Sequence, residues 1–413
     1  MDKEVIEIDP PSPGIYAVPE HHLYSWEKEE IKEKERQQKE AQSQPQVVAG
    51  KKLTFDRNQE FGAENIDISG EALSNAFKKV KDEENQEEDK VEENLETTKK
   101  ISGIPWATSR TDVEDPWVKL HNEIIEFFRT FGPNRKRNAL RKELFKKIKK
   151  VIKAVFPDCI VKIFGSTAAM LYLPQSDIDI VVFLPQKSTN DLKNARKLHR
   201  MISSISWVTS CECIPAKVPL VKLTDKESRL SVDISFSRGN GVAALSFIKK
   251  YQLIYPELKY LLLIIKAFLK TRDLNETFHG GMSSFVCTLL IISYLQEIKK
   301  EKQNHSLLLS EHLLNFFHLY GVRFNYNELG ISIRNGGSYF LRQSRGWLAT
   351  NRSKAVTLCV ENPQDTTVDL GKGVYNMTQV HAALQHAFDV LRFNTSNSES
   401  LLECIMGDLS NLK

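Results

Sequence analysis

Asp177 and Asp179 flank Ile178 at the head of a β-branched, apolar run that continues through Ile180, Val181, Val182 and Phe183 to Leu184. Side chains two positions apart on a strand share a face, so both carboxylates point the same way. Carboxylates that close repel each other unless a cation neutralises them. Hard oxygen donors of this kind suit Mg²⁺, which takes one or two carboxylates together with substrate phosphates. Asp177 follows Ser166 by eleven positions, and Gly165-Ser166 itself follows a strand-like segment, Ile160 to Phe164. Glycine there lets the backbone approach a ligand, and the Ser166 hydroxyl and N–H can hold phosphate oxygens. A third carboxylate, Asp233, lies within Leu230-Ser231-Val232-Asp233-Ile234-Ser235-Phe236. Aspartate is disfavoured inside a strand, so it asks for a reason beyond packing. Alone, Asp-x-Asp also fits a polar turn before a strand. Gly165-Ser166, Asp177, Asp179 and a strand-borne Asp233 together are far more specific.

The elements that must position these groups are marked by periodicity. Pro116-Trp117 opens a helix carrying Leu120, Ile124, Phe127 and Phe128 on one side, and Gly132-Pro133 ends it. A second helix aligns Leu140, Leu144, Ile148, Val151, Ile152 and Val155 on one face. Its other face is crowded with Lys and Arg from Arg135 to Lys153, including Arg137 and Arg141. That face is either a solvated surface or a contact for a phosphodiester backbone. After Pro174 and Ser176 comes the Asp177 strand, and Thr167 to Leu171 has helical propensity. Leu258 to Leu269 forms a strongly apolar helix bearing Lys266 and Lys270 one turn apart. A lysine on such a helix either snorkels to the surface or meets an anion, for which a triphosphate is suited. Gly280-Gly281 precedes Ser283-Ser284 at the head of another helix, which is either a plain cap or a phosphate site.

The chain has 413 residues, 41% of them hydrophobic, with 21 Phe, enough for a substantial core and for two or three domains. Six Cys are too few for a disulfide scaffold, and Cys211-Glu212-Cys213 lacks the spacer usual in zinc sites. Reduced thiols in an intracellular protein are expected. Met1 to Pro10 has no apolar run of the secretory kind, and the longest apolar run, Tyr260 to Ile265, stops at Lys266, so no membrane association is expected. The formal net charge of +4 hides an asymmetry. Residues 1–100 hold 15 basic and 25 acidic residues, against 42 and 28 in the remainder. A basic body suggests a polyanionic ligand. The first hundred residues, with eight carboxylates between Asp82 and Asn94, cannot bury enough apolar surface to fold alone. Leu23, Tyr24 and Trp26 form an apolar island there, either chance or a peptide that docks on a partner.

Phe164-Gly165-Ser166, then Leu171-Tyr172-Leu173-Pro174-x-Ser176-Asp177-Ile178-Asp179, then Asp233, resembles the DNA polymerase beta-like nucleotidyltransferase superfamily. Within it the wording is similar to the noncanonical poly(A) polymerases of the nuclear TRAMP type. Asn240-Gly241, Arg272-Asp273-Leu274-Asn275 and Val360-Glu361-Asn362-Pro363-Gln364-Asp365 match that family's nucleotide-recognition segments in order and spacing. The resemblance spans roughly residues 106–393. It implies an α+β fold, with a palm of small mixed sheet and helices at 135–238. A helical central domain is implied at 105–134 and 239–395. A disordered acidic arm at 1–104 and a tail at 396–413 complete the expected organisation.

The same resemblance implies template-independent addition of AMP from ATP to RNA 3′ ends. Two Mg²⁺ ions, or Mn²⁺, would be held by Asp177, Asp179 and Asp233. Gly165, Ser166, Lys266, Lys270, Ser284, Phe285, Glu361 and Asp365 are the implied nucleotide-binding set, with Phe285 stacking on the base. A nuclear or nucleolar location is implied, as are a zinc-knuckle RNA-binding partner, an RNA helicase and, indirectly, the nuclear exosome. The sequence departs from the family at Met170, where many relatives have Gly, and at Asn362, where Asp is common. Ala243-Ala244 replaces the Asn-Thr of uridylyl-adding relatives, and no His follows in Thr366-Thr367-Val368-Asp369. Both departures favour ATP over UTP. The alternatives are a terminal uridylyltransferase and an inactive RNA-binding scaffold on the same fold.

Overall fold

A computed structural model of the chain describes residue 106 and residues 114–185, 190–216, 218–236, 240–301, 307–347, 356–393 and 400–407. The expected acidic arm, with Leu23, Tyr24 and Trp26, lies outside the described residues.

Local signals place the first two helices. Helix α1, Pro116–Phe131, starts with proline in its first turn, and the Asp115 side chain accepts from the N–H of Trp117 at 2.8 Å. Helix α2, Arg135–Val155, is capped by Asn134, which accepts from the Arg137 N–H at 2.9 Å. The phase of α2 differs from the expected one by part of a turn. Leu144, Ile148, Ile152 and Val155 are buried, but Leu140 is 40% exposed and Arg141 only 2% exposed. Arg137 also turns inward, donating to the carbonyls of Gly132 and Thr130 at the end of α1. Neither arginine belongs to the solvated basic face.

Strands β1 (Ile160–Phe164), β2 (Ile178–Phe183), β3 (Val208–Ile214), β4 (Leu220–Asp225) and β5 (Ser231–Phe236) form one sheet in the order β1-β2-β5-β4-β3. Only β2 and β5 run parallel. Between β1 and β2 lies the short helix α3, Gly165–Ala169, and α4, Asp191–Ile202, leads to β3. Alternation divides the sheet. Ile178, Ile180, Val182, Val232, Ile234 and Phe236 join the apolar faces of α2 and α4 in one core. Asp179 and Asp233, one position out of phase, face the other side.

A second, larger core is helical. It gathers α1, α6 (Glu257–Lys270), α7 (Ser284–Glu301), α8 (Leu309–His318), α9 (Met377–Phe393) and α10 (Leu401–Met406), with α5 (Asn240–Ile254) leading in from the sheet. Helix α6 is buried almost all round, which its apolar sequence requires. Ala169, Leu171 and Leu173 belong to this core too, so the segment between α3 and β2 seats the sheet unit on the helices. Two hairpins not anticipated from the sequence, β6 (Leu329–Ser332) with β7 (Ser338–Leu341) and β8 (Glu361–Asn362) with β9 (Asp365–Asp369), join through Ile331 and Val360, the first of them packed on α7. Among the described residues no helix is long and apolar enough to cross a membrane.

The expected tail is corrected by α10, whose Leu401, Leu402, Ile405 and Met406 are all buried. Polar contacts fix it in place. Trp106 donates to the Ser400 hydroxyl at 3.1 Å, Arg272 donates to the Ile405 carbonyl at 2.7 Å, and Glu123 on α1 accepts from the Leu402 N–H at 3.0 Å. Burial pushes the Glu123 carboxyl up from its ordinary 4.5 to about 7. The folded protein keeps a proton that the unfolded chain gives up near its ordinary value. The stabilisation is full below about pH 4.5 and is lost as pH rises through about 7. Glu123→Gln is therefore expected to melt several degrees above the parent at pH 8 and no higher than the parent at pH 5, as read by thermal unfolding at both values.

Candidate active site

The site is a row across the sheet. Register places Phe164 of β1 beside Asp179 of β2, Asp179 beside Asp233 of β5, and Asp233 beside Lys222 of β4. Paired residues on adjacent strands, about 5 Å apart, project to the same face. Two carboxylates are thus held directly opposite each other by backbone pairing, and Asp177 enters the same face from just before β2.

Lys222 is the cation set among them. Its Nζ lies 3.0 Å from Asp177 Oδ2 and 3.6 Å from Asp233 Oδ1. The first is a hydrogen-bonded ion pair, whereas the second is too long to be a hydrogen bond. Asp233 Oδ1 is buried and receives no hydrogen bond. Burial, then the Asp233 and Asp177 charges, push the Asp179 carboxyl up to about 7. Burial also raises Asp233, against the pull of Lys222. Lys222 itself is held above its ordinary value by Asp177 and Asp233, against burial. Lys266 and Lys222 both pull the Asp179 carboxyl down, and it stays raised nonetheless. An acceptor without a donor and a carboxyl driven toward neutrality are the marks of a donor set suited to a divalent cation. Among the described residues no group of three or more His, Cys, Asp or Glu is already gathered into a metal-holding cluster. The three carboxylates share a face but do not converge.

The turn carrying Gly165 and Ser166 is built around these groups. Gly165 has φ +62°, and a Cβ there would stand 2.1 Å from Asp179 Oδ2. The position requires glycine both for its conformation and for the close approach of the carboxylate. Met170 ends α3 in the left-handed conformation, φ 57°. A residue with a Cβ holds that conformation at a cost of about 1 kcal/mol. Leu171 then donates its N–H to the Ser166 carbonyl at 2.9 Å.

Arg141, expected among the cations on the outer face of α2 but buried, clamps this segment. Its guanidinium donates to the carbonyls of Pro174 and Ser176 at 3.0 and 2.8 Å and to the Thr167 hydroxyl at 3.2 Å. The ring of Tyr172 lies 4.1 Å from the guanidinium carbon. It thus fixes the residues immediately before Asp177. Lys266 approaches from α6 and donates to the Leu171 carbonyl at 2.7 Å. Burial lowers it to about 8, with Asp179 among the charges that resist the fall. Lys266 therefore ties the helical core to the turn, and its ammonium is already engaged with backbone. Lys270, one turn on, is half-buried, lowered chiefly by burial and supported by the Asp177 charge.

The remaining expected residues are spread more widely. At the head of α7 the Ser283 hydroxyl caps the helix, accepting from the Val286 N–H at 3.2 Å. The cap reading is thus met by Ser283, and Ser284 is exposed. Phe285 is half-buried against the helical core. Glu361 is 2% exposed, accepts from the Ser332 hydroxyl at 3.0 Å and is ion-paired with Arg345. Its carboxylate is thus engaged inside the protein by Ser332 and Arg345. Asp365 is exposed, but its carboxylate accepts from the N–H and hydroxyl of Thr367, the pattern of a turn residue. Lys222 carried a readable signal. A hairpin drawn between Leu220–Asp225 and Ser231–Phe236 pairs it with Asp233.

A family model described as the central palm domain of mitochondrial-like poly(A) RNA polymerase matches residues 120–252, and one described as Cid1 family poly A polymerase matches residues 308–368. Poly(A) RNA polymerase CID14 of Cryptococcus neoformans is 35% identical over 297 residues, which cover 70% of this chain and 38% of that protein. The inactive noncanonical poly(A) RNA polymerase protein Trf4-2 of Drosophila melanogaster is 32% identical over 306 residues, covering 70% of this chain and 72% of that one. Among solved structures, the polymerase core of TRAMP, an RNA surveillance complex, superposes with a TM-score of 0.66 at 27% identity. It covers 72% of this chain and 96% of that one. The chain spans well under half the length of its fungal relatives CID14.

The geometry generates a direct test. Gly165→Ala should leave the circular dichroism spectrum unchanged but drive Asp179 off its position. Thermal stabilisation by Mn²⁺ is expected for the parent and should be lost in the variant, and any metal-dependent turnover should fall at least ~100-fold, the scale of an ångström's misplacement.

Proposed function

Because the chain belongs to the noncanonical poly(A) RNA polymerase family, we propose that it adds AMP from ATP to the 3′ ends of RNA without a template. The observation that carries this reading is the in-register pair Asp179 and Asp233, joined by Asp177 and faced by the Gly165-Ser166 turn. The RNA 3′-hydroxyl oxygen attacks the α-phosphorus of ATP. A phosphodiester bond forms, the bond to the bridging oxygen breaks, pyrophosphate leaves, and the hydroxyl proton passes to Asp233 or solvent.

Asp177, Asp179 and Asp233 would hold Mg²⁺, with Mn²⁺ able to substitute. Bound there, the metal supplies charge neutralisation and in-line alignment of the attacking and leaving oxygens. The residues of the chain do the rest. Ser166 and Ser284 donate hydrogen bonds to phosphate oxygens. Lys270, half-buried beside the carboxylate face, offers its charge to the departing pyrophosphate. Lys266 acts through the Leu171 carbonyl and keeps the Ser166 turn in place. Phe285 offers a ring face to the base. Glu361, locked to Ser332 and Arg345, positions the β8–β9 hairpin rather than touching the nucleotide.

The biological reading follows the likeness to the TRAMP polymerase core. The chain oligoadenylates nuclear RNAs for surveillance, alongside a zinc-knuckle RNA-binding protein and an RNA helicase that feed the exosome. Preference for ATP over UTP rests on Ala243-Ala244 and on the absence of His from Thr366–Asp369.

Primer extension with labelled RNA, Mg²⁺ and each nucleoside triphosphate in turn tests the reading, with a copurified partner in parallel reactions. Extension is expected mainly with ATP, and Asp177→Ala with Asp179→Ala should abolish it without unfolding the protein. Extension mainly with UTP would identify a uridylyltransferase. No extension even with the partner would leave an RNA-binding scaffold on this fold; the Drosophila relative is itself named inactive.

A further inference from the structure

The outer surface of α2 and α4 carries a dense run of exposed cations, and none of the chemistry above uses it. With Arg141 and Leu144 turned inward, Lys142, Lys146, Lys149, Lys150 and Lys153 are all exposed on the opposite side of α2. Three- and four-residue steps on a helix set these cations about every 5 Å along a ridge of about 16 Å. That interval is of the order of the phosphate spacing along a nucleic-acid strand. Helix α4 packs beside α2, with Lys197 of α4 donating to the Val155 carbonyl at 3.4 Å and lying over Phe156. It adds exposed Lys193, Arg196 and Arg200 on the same outward side. Together the two helices carry two carboxylates, Glu143 and Asp191.

The position of the ridge matters as much as its charge. Its near end lies beside the site, because the neighbouring Arg141 on the inward side of α2 binds the carbonyls of Pro174 and Ser176 just ahead of Asp177. From Lys142 onward it leads away from the carboxylates, across helices that cover the opposite face of the sheet. The outward positions from Lys142 to Lys153 hold no large apolar side chain, so the ridge lacks the apolar centre of a protein–protein interface. They hold no exposed aromatic ring on which unpaired bases could stack. Phe145 is half-buried, with Lys149 over its ring. A surface of regularly spaced cations without stacking groups reads backbone and shape, which suits double-stranded RNA.

We propose that the α2–α4 ridge binds the phosphodiester backbone of a duplex stem in the RNA, while the stem's single-stranded 3′ overhang reaches the carboxylate site. This rests on the RNA substrate proposed above. The test uses the full chain, a stem-loop RNA with a 3′ overhang, and the overhang strand alone. Lys146, Lys149, Lys150 and Lys153 are changed together to Glu, and Arg196→Gln with Arg200→Gln serves as an independent variant on α4. Binding to the stem-loop without nucleotide is measured across a salt series. The quadruple variant should bind at least ~10-fold more weakly, and the slope of log affinity against log salt should shrink by about 3.6, roughly 0.9 for each of the four lost phosphate contacts. The α4 variant should shift both in the same direction by less. Extension of the overhang strand alone should be unchanged in both variants.

Unchanged stem-loop affinity and slope would overturn the proposal, as would equal losses for both RNAs. Polyglutamate binding by the parent but not the variants, with stem-loop binding unaffected, would assign the ridge to an acidic protein instead. If the parent extends neither RNA, the tailing reading fails, while the nucleotide-free binding data still decide the ridge.

Discussion

Mutual repulsion of carboxylates held on adjacent strands is the constraint on which this structure turns. Backbone pairing of β2 with β5 fixes Asp179 opposite Asp233, and neither can move away without breaking the sheet register. Half out of water, such a pair is unfavourable as two anions. The protein's response is visible in Lys222 bridging toward Asp177 and Asp233 and in Asp179 being driven toward its protonated form. Neither response is complete, since Asp233 keeps a buried oxygen with no donor. A sheet that carries this tension in its centre is arranged for a small, highly charged partner.

Much of the surrounding architecture holds that arrangement still. Gly165 leaves room for the Asp179 carboxylate, Arg141 secures the carbonyls ahead of Asp177, and Lys266 reaches from the helical core to the Leu171 carbonyl. These contacts come from three different elements, α3, α2 and α6, so the two cores meet at the site. A buried arginine or lysine is costly to strand without partners. Here each finds backbone acceptors, and those hydrogen bonds offset the cost of desolvation while fixing the segment ahead of Asp177. The lysine-rich side of α2 is the complement of the same economy, because turning Arg141 inward sets the remaining cations outward.

The shared face of the carboxylates was legible because aspartate among β-branched residues stands out against strand propensity, and alternation fixes its side. The ends of α1 and α2 were legible from Asp115-Pro116 and Asn134. Arg141 was not, since one arginine in a run of lysines carries no local sign of burial. Its inward turn follows from the α2 phase, which is set by the sheet it packs on. Lys222 required strand pairing and not only strand recognition. Glu361 required knowing that two separate hairpins meet at Ile331 and Val360. Helix α10 is six residues long, too short for periodicity, and is held by distant partners at Trp106, Glu123 and Arg272. Local chemistry was readable in each case, whereas contacts across distant segments were not.

The account stands on Asp177, Asp179 and Asp233 forming a divalent-cation site that also receives a triphosphate. Anomalous diffraction from crystals of the full chain grown with Mn²⁺ and a non-hydrolysable ATP analogue addresses it directly. The predicted result is manganese density among the three carboxylates, with phosphate oxygens from the analogue completing its shell and Lys222 withdrawn from Asp177. Analogue bound elsewhere, or bound without manganese while Lys222 keeps its ion pair with Asp177, would contradict it.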